Sequence, residues 1–259
     1  MQQANATLTE RVVLVTGGTK GVGTGIARAF LATGATVLVC ARNEPDALPA
    51  VGGCVAEFVS ANLKEPGSTD ALIEAVLARH GRLDVLVNNA GGAPYALAAD
   101  ASPRFHESVI QLNLLAPLHL AQRANRQMQQ QEEGGVVLFV GSVSALRPSP
   151  GTAAYGAAKA GVLSLVESLA VEWAPKVRLA AVSPGPVLTE QAERHFGDAA
   201  GVAAVGATIP LGRMANPDDV GNACVFLASP AGAYVSGSNL VLHGGGERPA
   251  FLGAANAQH

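Results

Sequence analysis

Short apolar runs alternate with longer helical stretches along most of this chain of 259 residues. Short segments rich in Val and Leu predict strands at 11–15, 36–41, 55–59, 83–87, 136–140, 177–182 and in "NLVLH" (239–243). Helices are predicted for "GIARAFLATG" (25–34), 67–80, 103–131, 152–174 and "PDDVGNACVFLAS" (217–229). Strands that are apolar throughout and alternate with helices indicate a parallel sheet covered on both faces. The pattern predicts an α/β fold: one doubly wound domain over 1–259 with a mostly parallel seven-stranded sheet.

Two internal segments and the two ends of the chain depart from this regular alternation. The stretch "NEPDALPAVGG" (43–53) is short and rich in Pro and Gly, so we expect a truncated helix between the second and third strands. The stretch 189–212 is rich in Ala and Gly and is the least regular part of the chain, which suggests a mobile flap over a site. Flexible ends are expected at about 1–9 and 250–259.

Composition narrows the class of protein. Charged residues make up 14% of the chain, the formal net charge is -3 and no basic run occurs, so no nucleic-acid partner is expected. The three cysteines are far apart and no Cys/His cluster suggests a metal, which fits a reducing compartment. No signal peptide and no run of membrane-spanning length is apparent. We expect a cytoplasmic protein with no membrane partner.

A glycine-rich turn, "VTGGTKGVGTG" (15–25), lies between the first strand and the first helix. Glycine allows positive φ and close backbone approach, and a helix N-terminus favours a pyrophosphate. A plain tight turn is the alternative, but the position after the first strand of an α/β chain favours a dinucleotide. The predicted cofactor contacts in the turn are Gly17, Thr19, Lys20, Gly21, Val22 and Gly23.

The end of the second strand indicates which dinucleotide is bound. An acidic residue is expected there to bind a ribose 2′-hydroxyl, but Ala41 occupies the position and Arg42 follows it. With Lys20 in the glycine turn, two cations and no carboxylate suit a 2′-phosphate. The prediction is NADP(H) rather than NAD(H); the alternative is that both cations are ordinary surface charges.

Tyr155 and Lys159 are four residues apart in a helical stretch, so they lie on one helix face. An ammonium beside a phenol favours the phenolate and lowers the pKa of the tyrosine, which suits proton transfer to or from a substrate oxygen. Only Gly and Ala lie between them, which leaves that face open. A tyrosine four residues before a lysine, taken alone, is more often a surface pair.

Several motifs in the right order resemble the short-chain dehydrogenase/reductase family, from about Val12 to Gly245. They are "TGGTKGVG" (16–23), "NNAG" (88–91), "QLNLLAP" (111–117), "VGSVSA" (140–145), "YGAAK" (155–159) and "SPGPVLT" (183–189). The resemblance implies a Rossmann fold and an oxidoreductase. It also implies a homodimer or homotetramer, with dimer faces on the helices near 103–131 and 152–174 and a tetramer contact in the C-terminal "GGGERPAFLGA".

The resemblance assigns a role to each of four candidate catalytic residues. Tyr155 is the general acid in reduction and the base in oxidation, and Lys159 lowers its pKa and contacts the nicotinamide ribose. Ser142 hydrogen-bonds the substrate oxygen, and Asn113 holds a water in a proton relay. The same resemblance places further cofactor contacts at Asn62, Leu63, Asn89, Ala90, Gly91, Tyr155, Lys159, Pro184, Gly185, Val187 and Thr189.

The sequence thus favours an NADP(H)-dependent enzyme that interconverts a ketone and a secondary alcohol. A 3-oxoacyl thioester, a steroid-like or other lipophilic ketone and a sugar-derived ketone all remain open as substrates, and the apolar flap favours a lipophilic one. A cofactor-binding regulatory protein without turnover and an isomerase or lyase on the same fold are the alternatives. His243, where the family commonly has Asp, stays open as an interface, core or substrate-contacting residue.

Overall fold

Parallel strands form the central layer of the computed structural model, which describes residues 8–254. The seven strands of this sheet are β1 (Val12–Thr16), β2 (Thr36–Ala41), β5 (Glu57–Ser60), β6 (Val85–Asn88), β7 (Gly135–Val140), β8 (Val177–Pro184) and β9 (Ser238–Leu242). Their spatial order is β5-β2-β1-β6-β7-β8-β9, and every neighbouring pair is parallel. The predicted seven-stranded sheet is confirmed.

Helices cover both faces of the sheet, as predicted. They are α1 (Gly21–Leu31), α2 (Ser68–His80), α3 (Pro103–Ile110), α4 (Ala116–Met128), α5 (Ala153–Glu172), α6 (Ala192–Phe196), α7 (Ala199–Thr208), α8 (Pro217–Ala228) and α9 (Ala250–Ala254). One core contains residues of α2, α4 and α5, and a second core contains residues of α1 and α8 on the opposite face. The chain is therefore a single doubly wound α/β domain.

The order of the strands creates a crevice where the direction of winding reverses. The chain runs outward from β1 to β2 and β5, then returns to the other side of β1 with β6 and continues to β9. Ligands of such sheets bind beyond the carboxyl ends of the strands at this reversal. The glycine turn follows β1 and the "NNAG" segment begins at the end of β6, so the fold places both motifs at this crevice.

The prediction of a truncated helix between β2 and β5 is wrong. The segment forms bends and a small antiparallel hairpin of β3 (Ala50–Val51) and β4 (Cys54–Val55). Gly52 and Gly53 form the two-residue loop with φ of 57° and 86°, the geometry that suits a tight hairpin. Pro49, which precedes β3, lacks the backbone N–H that a helix interior needs.

The long helix predicted over 103–131 is divided in two. A π-helical turn, Gln111–Leu115, separates α3 from α4 and contains Asn113. Such turns widen a helix by one residue and occur often at functional sites. The predicted flap at 189–212 is also more regular than expected, because it contains α6 and α7.

The structure describes residues 8–254, so most positions of the predicted flexible ends lie outside the described residues. Among the described helices, α5 is long and apolar enough to cross a membrane by length and composition alone. Its residues Val162 and Val166 are buried in the same core as Leu120 of α4. Packing of this kind makes α5 a core helix of the domain.

Candidate active site

The glycine turn is built for close backbone approach at two positions. A Cβ atom on Gly23 would lie 2.2 Å from the carbonyl oxygen of Gly17 and 2.6 Å from Nδ2 of Asn89, so only glycine fits there. Gly21, with φ of 55°, instead opens toward Thr189 and Glu190, whose nearest atoms are both 3.7 Å from the position of such a Cβ. The turn is thus packed on its inner side and open on the side of the crevice.

Asn89 and Thr16 hold this turn against the end of β6. Nδ2 of Asn89 donates to the carbonyl oxygens of Thr16 at 2.8 Å and Gly17 at 3.2 Å. The backbone N–H groups of Asn89 and Ala90 both donate to Oγ1 of Thr16 at 2.9 Å. Thr16 was not among the predicted site residues. The signal that could have found it is a hydroxyl side chain at the end of a buried strand, directly before the first glycine.

The residues around the turn fit a dinucleotide. The backbone of Lys20, the N-cap of α1, is extended and its side chain makes no capping hydrogen bond, so the first N–H groups of α1 remain available to an anion. A cavity of about 690 Å³ opens at this helix end. Its lining includes Thr19, Lys20, Gly21, Arg28, Glu190 and Asp218.

The two predicted cations are both exposed and follow different strands of the sheet. Lys20 lines the cavity beside α1, whereas Arg42 follows β2 and its carbonyl oxygen accepts from the hydroxyl of Ser60 at 3.0 Å. Within residues 8–254 neither side chain makes an ion pair. Both charges are therefore available to a ligand.

The predicted adenine contacts lie near Arg42 at the end of β5. Nδ2 of Asn62 donates to Glu65 at 2.8 Å, and its Oδ1 accepts weakly from the N–H of Lys64 at 3.4 Å. The side chain of Leu63 is 9% exposed and packs in the core. Leu63 can therefore face a ligand only through its backbone. Asn62 can do so only through an amide that already makes hydrogen bonds to Glu65 and Lys64.

The segment after β8 crosses the crevice from the other side. Gly185 donates its N–H to Leu242 at 2.9 Å, and Val187 forms an isolated parallel bridge with Ala215. Thr189 then faces Gly21 across the opening of the turn. Pro184 ends β8, so Pro184, Gly185, Val187 and Thr189 form a continuous wall opposite the glycine turn.

Tyr155 and Lys159 lie in the first two turns of α5, beside the ends of β6 and β7. Lys159 is 5% exposed, its Nζ donates to the carbonyl oxygen of Val140 at 2.7 Å, and Nζ lies 5.6 Å from the centre of the Tyr155 ring. Burial lowers the pKa of Lys159 to about 8. Lys159 is therefore buried and Tyr155 half-buried, so the pair is not two surface side chains.

The pKa of Tyr155 differs from the sequence-based expectation. Lys159 was expected to lower it, but burial raises it above its ordinary value, and an interaction with the hydroxyl of Ser142 only partly offsets this rise. The phenolate loses its hydration at this site, and the ammonium of Lys159 bonds to a backbone carbonyl instead of the phenol. Tyr155 consequently carries its proton at neutral pH.

Ser142 and Asn113 complete the cluster. Ser142 directly follows Gly141 at the end of β7, and its Oγ accepts from the N–H of Ser144 at 3.1 Å. Asn113 is fully buried in the π-helical turn and donates to Val109 and Gly92 at 2.9 and 3.0 Å. A Cβ atom on Gly91 would lie 2.6 Å from Oδ1 of Asn113 and 3.7 Å from Nζ of Lys159. The four predicted catalytic residues thus converge at one end of the sheet.

His243 lies behind the wall of this site. Its Cβ is 3.1 Å from the position that a Cβ on Gly185 would occupy, and its ring lies against Gly246. The side chain is half-buried. Within one chain, His243 therefore packs between the segment after β8 and the C-terminal segment.

Comparisons with known proteins agree with this geometry. A family model described as enoyl-(acyl carrier protein) reductase matches residues 17–247. The chain is 33% identical over 249 residues to L-rhamnose 1-dehydrogenase (NAD(P)(+)) of Azotobacter vinelandii, covering 92% of this chain and 97% of that protein. It is 32% identical over 238 residues to 3-oxoacyl-[acyl-carrier-protein] reductase of Escherichia coli, covering 91% and 96%.

A solved structure shows the same fold. The ligand-free aldohexose dehydrogenase of Thermoplasma acidophilum superposes with a TM-score of 0.85 at 28% identity, covering 92% of this chain and 94% of that chain. Identity above 30% over nine-tenths of the chain, together with the matching family model, shows the membership. This chain belongs to the short-chain dehydrogenase/reductase family of NAD(P)-dependent oxidoreductases.

Proposed function

We propose that this protein is an NADP(H)-dependent enzyme that interconverts a ketone and a secondary alcohol. The convergence of Tyr155, Lys159 and Ser142 beside a dinucleotide crevice is the observation that carries this proposal. A protonated phenol, a buried ammonium and a second hydroxyl are the groups that polarise a carbonyl oxygen and supply its proton.

Reduction uses these residues as follows. Ser142 donates a hydrogen bond to the carbonyl oxygen, and Tyr155 donates its proton to the same oxygen as negative charge develops there. Bound NADPH would supply the hydride to the carbonyl carbon. The ammonium of Lys159 then stabilises the phenolate that Tyr155 becomes, because the two groups are close and poorly solvated.

The raised pKa of Tyr155 determines which form of the phenol is present before the reaction. A general acid must carry its proton before the reaction, and burial keeps the proton on the phenol. Oxidation of an alcohol needs the phenolate, which becomes abundant only at higher pH. At neutral pH the phenol is therefore in the protonated form that the reduction step requires.

The test is consumption of reduced cofactor with a panel of carbonyl compounds, for the wild type and Tyr155→Phe. The panel contains a 3-oxoacyl thioester, a steroid ketone and sugar-derived carbonyls, because sugar, polyol and 3-oxoacyl enzymes are among the relatives. We expect turnover in the wild type and a loss of about 10²–10⁴-fold in the variant. A folded protein that binds NADPH in calorimetry and reduces none of the panel would point to a cofactor-binding protein instead.

The cofactor preference has its own test. We expect Lys20→Ala and Arg42→Ala each to raise the KM for NADPH several-fold and to leave the KM for NADH nearly unchanged, because only NADPH carries the 2′-phosphate. Arg28→Ala is the matched control: Arg28 lines the same cavity but lies 3.9 Å from Asp218 in an ion pair. A wild type that uses NADH as efficiently as NADPH would refute the assignment.

A further inference from the structure

The C-terminal segment makes a tight reversal directly after β9. Gly244, Gly245 and Gly246 have φ of 65°, 103° and 90°, a region that other residues rarely adopt. The N–H of Gly246 donates back to the carbonyl oxygen of His243 at 3.2 Å. This reversal turns the chain back toward Pro210 and Arg147 and not away from the domain.

One side of this segment holds the end of the 189–212 flap. Leu211 donates its N–H to the carbonyl oxygen of Gly244 at 3.0 Å. A Cβ on Gly244 would lie 2.7 Å from Ile209, and one on Gly245 would lie 2.8 Å from Pro210. The two stretches are therefore in direct contact, and the position of the C-terminal segment determines the position of residues 209–211.

The other side of the segment reaches the loop that begins at Ser142. Oε1 of Glu247 lies 2.7 Å from Nε of Arg147. Arg147 also donates through Nη1 to the carbonyl oxygen of Pro148 at 3.0 Å, which fixes the guanidinium within its own loop. The ion pair therefore joins the catalytic-serine loop, through the glycine reversal, to the end of the flap.

We propose that Arg147 and Glu247 form a latch that sets the width of the substrate entrance and so determines which carbonyl compounds are accepted. They are positioning residues, since they act through the segments they join. Leu146 and Leu211, on the two joined segments, have 52% and 73% of their surface exposed. In this proposal the latch limits the movement of the two segments that carry these apolar side chains, and a substrate with an apolar body beyond its carbonyl contacts them.

The expected size of the effect follows from the exposure of the pair. The side chains of Arg147 and Glu247 are 39% and 53% exposed. An ion pair this accessible to water shifts an equilibrium by at most about fivefold. We therefore expect hydrogen-exchange rates and ratios of kcat/KM to change roughly two- to fivefold. These changes are compared with those at a matched ion pair elsewhere in the protein.

The first measurement is hydrogen exchange followed by mass spectrometry on Arg147→Glu, Glu247→Arg and the double variant that exchanges the two charges. We expect each single variant to speed exchange of the peptide containing the Leu211 N–H by about two- to fivefold, and the double variant to restore it. Arg79 and Glu57 form the control pair, 3.2 Å apart and 43% and 39% exposed, near the opposite edge of the sheet. Unchanged exchange in both single variants, or no recovery in the double variant, would overturn the latch.

The second measurement concerns substrate choice and rests on the proposed function. The ratio of kcat/KM for a bulky apolar ketone to that for a small ketone should change two- to fivefold in the single variants, through KM, and return in the double variant. An altered exchange rate without a change in this ratio would refute the role in specificity. A wild type that reduces no carbonyl compound would refute the proposed function, while the exchange experiment would still decide whether the latch exists.

Discussion

Lys159 is held in surroundings that oppose its charge. Its ammonium is buried, bonds to one backbone carbonyl and has a pKa lowered from 10.5 to about 8. Between pH 8 and pH 10.5 the unfolded chain keeps the proton of this lysine, whereas the folded chain releases it. The contribution of Lys159 to the free energy of unfolding therefore rises with pH through this window and is lowest below pH 8. The proposed activity needs the cation, which explains why an unfavourable buried charge is retained.

The free energy of unfolding, measured as a function of pH, tests the cost of burying the charge of Lys159. In the wild type, Lys159 should add about 3 kcal/mol to the free energy of unfolding as the pH rises from about 8 to 10.5. Lys159→Met should remove that contribution, whereas Lys64→Met, at an exposed position, should keep it. Urea unfolding at several pH values measures the difference. Equal pH dependence in the wild type and Lys159→Met would contradict the lowered pKa.

Among the elements, α1 and α8 pack unusually closely, and α1 begins at the glycine turn. A Cβ on Gly25 would lie 2.3 Å from the backbone of Pro217, and one on Gly221 would lie 2.6 Å from the carbonyl oxygen of Gly25. Glycine in a helix costs stability through backbone entropy. Here that cost is offset by the close approach of the two helices, which fixes the axis of α1 and therefore the direction of its N-terminus.

Gly25→Ala should therefore destabilise the protein although alanine favours helices. We expect the free energy of unfolding to fall by about 1–3 kcal/mol, because overpacking forces α1 and α8 apart. Gly92→Ala is the control, because nothing in the described part of the chain lies within 4 Å of a Cβ at Gly92 and its φ is not positive. That control should stay within about 0.5 kcal/mol of the wild type. Thermal or urea unfolding that finds Gly25→Ala as stable as the wild type would refute this account.

At the scale of the whole molecule, one large apolar side chain remains exposed on α5, a helix that the family resemblance assigns to a dimer face. Val171, near the end of α5, is 81% exposed. Large apolar side chains left exposed together are typical of subunit contacts, although single ones are ordinary. One exposed valine is ordinary by itself, so the homodimer or homotetramer that the family resemblance implies stays a prediction.

Light scattering at micromolar concentration should give a mass two or four times that of one chain. Val171→Glu should shift the protein toward smaller species, because a charge buried in an interface loses its hydration. Val55→Glu, at a 57% exposed position on the small hairpin, should leave the mass unchanged. A monomeric wild type, or identical masses for all three proteins, would exclude an interface at this face of α5.

The hydrophobic pattern was sufficient to predict the architecture, because strands and helices each give a fixed spacing of apolar residues that are close together in sequence. Short, mostly apolar runs such as 36–41 favour buried strands, and their alternation with helices favours a parallel sheet covered on both faces. The glycine turn was predicted from its place after the first strand, whereas Ser142 was predicted only through the family resemblance, and the roles of the site residues stay predictions. Errors arose where local signals compete, as in 43–53, where two glycines favoured a hairpin over a helix.

Other properties depend on contacts between residues that are far apart in sequence. The raised pKa of Tyr155 reflects burial by several elements, and no spacing of residues in "YGAAK" reveals it. The clash that forbids a side chain at Gly23 comes from Gly17 and Asn89 together. The pairing of Arg147 with Glu247 brings together residues on either side of β8 and β9. Periodicity thus predicts the elements, whereas desolvation and charge pairing arise only when the elements pack.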